Sequence, residues 1–264
     1  MKKIFSLLAL IFFWWGVTAA FALTVTVDGN LSDWGLDTSG FGVNDNDWDP
    51  HISGVYVGQE DKVYNDSGLV GPGYGGQKYD IEAILVTSDA TNLYIAIASG
   101  FPPFNNGSYD PGDIAIDLGA DGSYDYAFVF YPDNRSNITH DDALYQVLDS
   151  SAWEDVYYSQ HSESNPFRLQ DVANLYQYVA DGSFAYTSNY IPNSTFRRYL
   201  MEVSIPWSAL GGYVGWFKVH WTMECGNDHL EVTAYHTPEP ASVLLVGSAL
   251  LLIGIPLTGR VRRK

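Results

Sequence analysis

Large apolar residues recur at every second position through the middle of this chain, and no long stretch holds the 3.6-residue spacing of an amphipathic helix. The runs at 93–97, 114–116, 124–130, 199–205 and 217–223 each alternate a large apolar residue with a smaller or polar one. A strand turns successive side chains to opposite faces, so each run predicts a strand with one face on a core and the other toward solvent or a ligand. Weaker strands are expected at 23–27, 52–57, 79–87, 143–148 and 230–235. Breaks fall at Gly71-Pro72-Gly73, Phe101-Pro102-Pro103, Asp121-Gly122 and Asp181-Gly182, residues that turns require. A single helical turn is expected at 206–210, opened by Pro206 and stopped by Gly211-Gly212. Many short strands and no long helix predict an all-β domain, an antiparallel β-sandwich of jelly-roll or immunoglobulin-like form.

The two ends follow a different pattern. Met1-Lys2-Lys3, an apolar stretch over 4–17 and Ala20-Phe21-Ala22 have the order of a signal peptide cut after Ala22, so residues 1–22 are expected to be removed. At the other end, Pro238-Glu239-Pro240 precedes an apolar run over 241–257, and Arg260, Arg262, Arg263 and Lys264 close the chain. That run is just long enough to enter a bilayer as a helix, and the basic tail resists crossing it. The reading divides the chain into a signal peptide at 1–22, a β domain at 23–236 and a C-terminal signal at 237–264. The β domain is expected on the far side of the inner membrane.

Removing the ends changes the charge. Six of the 13 Lys and Arg lie in the terminal segments, leaving 7, whereas 30 of the 31 Asp and Glu remain, so the segment 23–237 carries a net charge of −23. Nucleic acid and anionic lipid both require a basic patch, and so acidic a domain excludes them as partners. Its content of Tyr, Trp and Phe is that of a folded chain and not of a disordered acidic one. Cys225 is the only cysteine, so the fold contains no internal disulfide and Cys225 is expected to be buried.

The C-terminal order of marker, span and basic tail closely resembles the PEP-CTERM sorting signal of Gram-negative bacteria. The resemblance implies export, transient anchoring by a transmembrane helix, cleavage by an exosortase after signal peptidase has acted, and a final place at the cell surface or in extracellular matrix. Val27-Asp28-Gly29-Asn30-Leu31-Ser32-Asp33-Trp34 resembles the opening of family 9 carbohydrate-binding modules and the related DOMON-like sandwiches. Segments 92–97, 112–118 and 201–210 are similar to that group in the same order, and 221–228 is similar to the closing turn of its PEP-CTERM members. This second resemblance implies a β-sandwich and makes extracellular polysaccharide a partner. Asp33 and Trp34 are read structurally, as a turn whose indole plugs the end of the sandwich.

Sugar binding needs flat aromatic faces beside hydroxyls, amides and carboxylates on a rigid surface. Aromatics in turn-rich stretches are Trp48, Tyr74, Phe104, Tyr109, Trp153, Tyr157, Tyr158 and Tyr190; of these Trp48, Trp153, Tyr157 and Tyr158 are the candidate ligand contacts. Trp48 and Trp153 stand among acids, which predicts that they stay near the surface. Alternate acids on curved loops suit calcium, with Asp45, Asp47 and Asp49 or Asp117, Asp121 and Asp125 as ligands. Scattered histidines give no zinc or copper spacing. Met201 and Met223 fall on core-facing positions, which disfavours a haem-binding variant of the sandwich. No nucleophile elbow, phosphate loop or metalloprotease helix is present, and the expectation is a non-catalytic protein. The alternative to sugar binding is a structural or adhesive matrix protein whose acidic face is bridged by calcium.

Overall fold

The computed structural model describes residues 23, 25–42, 46–62, 74–190 and 197–237. The expected signal peptide, the Pro238-Glu239-Pro240 marker with its span and tail, the turn at 71–73 and Asp45 lie outside these residues.

The described chain is all-β and antiparallel. In order it forms β1 (Tyr56–Gln59), β2 (Ile81–Ser88), β3 (Asn92–Ser99), β4 (Ile114–Leu118), β5 (Tyr126–Val129), β6 (Ala143–Val147), β7 (Trp153–Glu154), β8 (Arg168–Leu169), β9 (Tyr176–Asp181), β10 (Ser183–Ser188), β11 (Tyr199–Pro206), β12 (Gly215–Thr222) and β13 (His229–His236). One sheet runs β1-β2-β3-β11-β10, a second runs β13-β12-β4-β5-β6-β9, and β7 pairs with β8 alone. Among the described residues the helical elements are short 3-10 turns.

The period-two pattern explains how the sheets meet. Ile84 and Val86 of β2, Leu93, Ile95 and Ile97 of β3, and Met201, Val203 and Ile205 of β11 join one buried cluster with Ile114, Ile116, Tyr126, Phe128, Leu144, Phe217, Val219 and Trp221 of the second sheet. In β4 and β12 the large apolar residues face this shared core, as the alternation predicts, whereas Tyr94 of β3 and Tyr145 of β6 lie on the outer faces.

The other faces are covered over the middle strands, whereas Tyr178, Tyr186, Trp216 and Tyr235 on β9, β10, β12 and β13 stay exposed. Ala83, Leu85, Ala96, Ala98 and Leu200 lie on the outer face of the first sheet under Val25, Leu31, Trp34 and Trp48. On the second sheet, Ala127, Val129, Ala143 and Tyr145 are covered by Ile138, Ala152 and Leu169 from the long connection between β5 and β9. Alanines on these faces leave room for a further layer, so most positions in β2 to β5 are buried on both sides. Met201, Met223 and Cys225 are likewise buried.

Two local differences have clear causes. Among the described residues of the segment expected as a strand at 23–27 none is in a strand; the Thr26 N–H is instead taken by a side chain, donating to Asp33 Oδ2 at 2.7 Å. Asp181-Gly182 is no hairpin: β9 and β10 belong to different sheets, and Gly182 is where the chain crosses between them. A Cβ on Gly182 would come within 2.6 Å of the Ser204 carbonyl oxygen, so only glycine fits the crossing. At 206–212 the expected turn is present, with Leu210 donating to the Trp207 carbonyl at 3.1 Å and left-handed Gly211 and Gly212 ending it.

Candidate functional site

The turn between β4 and β5 is built by acids that bond the backbone. Asp117 accepts the N–H groups of Asp121 and Gly122 at 3.1 and 2.8 Å, and Asp125 accepts that of Leu118 at 2.7 Å. Beside it, Asp149 caps a 3-10 turn by accepting the Ser151 N–H at 2.8 Å, and Trp153 follows as the first residue of β7. The Trp153 indole donates to the Tyr124 carbonyl at 3.4 Å, and the two rings meet edge to face at 6.0 Å. Tyr124, Asp125, Leu148, Asp149, Ser150 and Trp153 thereby line an open hollow of about 330 Å³. Trp153 is half-buried there.

Tyr157 is 68% exposed and meets Tyr158 edge to face at 5.0 Å. The hydroxyls of Tyr158 and Tyr109 are 2.6 Å apart. A second hollow of about 360 Å³ is lined by Phe104, Tyr199, Asn105, Asn106, Lys78 and Arg197.

Trp48 departs from its expected place near the surface. Its side chain is fully buried, its indole donates to Asp61 Oδ2 at 3.2 Å, and Phe41 packs edge-on at 4.8 Å. The apolar ring covers the alanines on the outer face of the first sheet, a gain that outweighs its acidic sequence neighbours. Because Trp153 packs on the other sheet's outer cluster, Trp48 and Trp153 do not share a face. Trp34 also belongs to the outer layer of the first sheet and not to the end of the molecule.

The acids proposed for calcium spend their oxygens locally. Asp47 and Asp49 accept the N–H groups of Asp49 and His51 and approach the His51 ring at 3.6 and 3.5 Å, all at the exposed surface. Among the described residues, two groups of three carboxylates bring oxygens within 4.8 Å of one another, and neither includes Asp47, Asp49, Asp117, Asp121 or Asp125.

Those two groups are Glu60, Asp80 and Asp228, and Asp61, Asp80 and Glu82. Glu60 and Asp61 follow β1, Asp80 and Glu82 flank the start of β2, and Asp228 precedes β13. Asp80 reaches the site because Gly100 lets the 77–79 turn press against the end of β3: a Cβ on Gly100 would overlap the Gln77 carbonyl oxygen, and its N–H donates to the Asp80 carbonyl at 2.8 Å. Glu82 is satisfied by the Arg198 guanidinium at 2.8 Å, the Gln77 amide at 2.7 Å and the Tyr190 hydroxyl. Burial, reinforced by Asp228, pushes Asp80 up to about 9 and Glu60 up to about 8. Burial also lifts Glu82 to about 7, with Arg198 opposing. The sequence signal for this cluster was an acid, Glu82, set in the apolar stretch that opens β2.

Compared with known proteins, the chain matches no family model, no curated protein and no solved structure. Among the described residues no helix is long and apolar enough to cross a membrane.

Proposed function

We propose that this chain is an exported, non-catalytic surface or matrix protein of a Gram-negative bacterium. In this reading its β domain is a DOMON-like sandwich that binds extracellular carbohydrate at Trp153. The C-terminal marker and tail pass it to an exosortase after signal peptidase has acted, with the apolar span as a transient anchor. The observation that carries the sugar site is the hollow beside Trp153: a half-buried indole stands next to carboxylates and the Ser123 and Ser150 hydroxyls on a turn made rigid by Asp117 and Asp125. An aromatic wall next to hydroxyl partners is what the apolar and polar faces of a pyranose require.

A glycan array with calcium present tests the reading, comparing the parent with Trp153→Ala. Saturable binding that the variant loses supports it. Binding lost only on Phe104→Ala would move the site to the second hollow.

The alternative is a structural matrix protein bridged by calcium on its acidic surface. The net charge of −23 over 23–237 favours it, with carboxylates such as Asp47 and Asp49 exposed. Binding to no glycan, with calcium-dependent self-association, would support that second reading.

A further inference from the structure

Buried carboxylates in this protein find donors almost everywhere. Glu202 accepts four N–H groups, Asp113 accepts both arms of Arg135 and the Leu169 N–H, and Asp117 accepts two backbone amides. The cluster at the ends of β1 and β2 breaks this pattern. Both oxygens of Glu60, Oδ1 of Asp61 and Oδ1 of Asp80 are buried without a hydrogen-bond partner. Asp80 is fully buried and Asp61 is 4% exposed. The guanidinium of Arg198 is committed to Glu82, Gln77 and the Gly42 carbonyl, and Lys62 stands at the exposed surface. Removing a carboxylate from water without a counter-charge is strongly unfavourable, and here several are brought together.

We propose that Glu60, Asp80 and Asp228 hold one calcium ion, with Asp61 close enough to Asp80 to supply a further oxygen. The donor set decides the metal. All members are carboxylates, with no histidine or cysteine among them, which suits a hard cation and not zinc or copper. Calcium takes more oxygens than magnesium and tolerates irregular placement, which fits acids drawn from three separate segments. The ion would tie the ends of β1 and β2 in one sheet to the start of β13 in the other, so its role is to staple the two sheets at one end. This site shares no residue with the exposed acids considered from the sequence, and it does not depend on sugar binding.

The test is thermal unfolding and equilibrium dialysis of the purified full chain, stripped with a chelator and then supplied with calcium or magnesium chloride on the order of 1 mM. The expected result is one calcium per chain, a smaller response to magnesium, and a midpoint raised by roughly 5 to 10 °C at a hundredfold excess over Kd. Asp80→Asn and Glu60→Gln should each lose the calcium response. Both remove one of the mutually repelling charges, so in chelator their midpoints should equal or exceed the parent's. Asp121→Asn should keep the full response. A parent that retains no calcium, a response undiminished in both cluster variants, or a response lost in Asp121→Asn alone would each overturn the proposal.

Discussion

The indole N–H of Trp34 donates to Oε1 of Glu202 at 2.6 Å, and the second oxygen of that carboxylate accepts the backbone N–H groups of Asp28, Gly29 and Asn30 at 3.0, 2.5 and 3.1 Å. Glu202 lies on the outer face of β11, opposite Ala96 of β3, and is fully buried. One strand residue thus fastens the whole N-terminal Asp-Gly-x-x-x-Asp-Trp segment to the first sheet. Asn30, and not Asp28, supplies the turn cap by accepting the Ser32 N–H at 2.9 Å.

Replacing Glu202 by alanine leaves four donors without an acceptor in a buried place. The expected loss is about 3 to 5 kcal/mol of unfolding free energy, as for breaking one side of a buried charged network. Trp34→Phe keeps most of the ring and loses one charge-assisted bond, and should cost about 1.5 to 3 kcal/mol. Chemical denaturation of the two variants would measure both, and equal losses would contradict this account.

Stability should fall on mild acidification through His220. Its ring is buried, with Nε2 donating to the carbonyls of Ser164 and Pro166 at 3.1 and 3.0 Å. Burial first and the neighbouring His229 second hold it down to about 4, with Glu231 opposing. In the unfolded chain the ring takes up a proton near pH 6.5, so between that value and about 4 the unfolded state binds more protons. The contribution is therefore complete above about pH 6.5 and is lost as pH falls toward 4, by about 2 to 3 kcal/mol. His220→Gln lacks this titration, so the parent-minus-variant difference in unfolding free energy should fall as pH drops from about 6.5 to 4, and a difference that stays flat over that window would contradict the account.

Gly100→Ala should disturb the acidic cluster from outside it. The added methyl group has nowhere to go except into the backbone at Gln77, so the 77–80 segment must shift and carry Asp80 with it. Overpacking of this kind costs about 1 to 3 kcal/mol. The calcium-induced rise in melting midpoint should shrink alongside, since Asp80 is in both carboxylate groups.

At the Trp153 hollow, Trp153→Ala should weaken glycan binding by about tenfold or more, the equivalent of roughly 1.4 kcal/mol. Tyr157→Ala, whose exposed ring lies outside the lining of that hollow, should leave it unchanged. Isothermal titration with a bound glycan would separate the two, and an equal effect of both substitutions would point to a different surface.

Processing has its own measurement. The intact mass of the protein recovered from the outer surface or medium should lack residues 1–22 and the basic end containing Arg262 and Arg263. A secreted product still carrying those arginines would remove the sorting proposal.

The alternation of large and small residues alone determined the all-β antiparallel class and the inward side of β3, β4, β11 and β12, because a strand's period of two assigns side chains to faces without reference to any partner. Strands β7 and β8, at two residues each, are too short to show any alternation. Which faces remained open was decided only in three dimensions. Ala83, Ala96 and Ala98 look like half-exposed positions in sequence, yet their small size is what admits Trp34 and Trp48 as an outer layer. The same holds for the acids. Asp117, Asp121 and Asp125 stand close in sequence but bond their own turn, whereas Glu60, Asp80 and Asp228 converge from distant segments. Local spacing governs a hydrogen-bonded turn, but a site assembled from separate strand ends exists only once the sheets have packed.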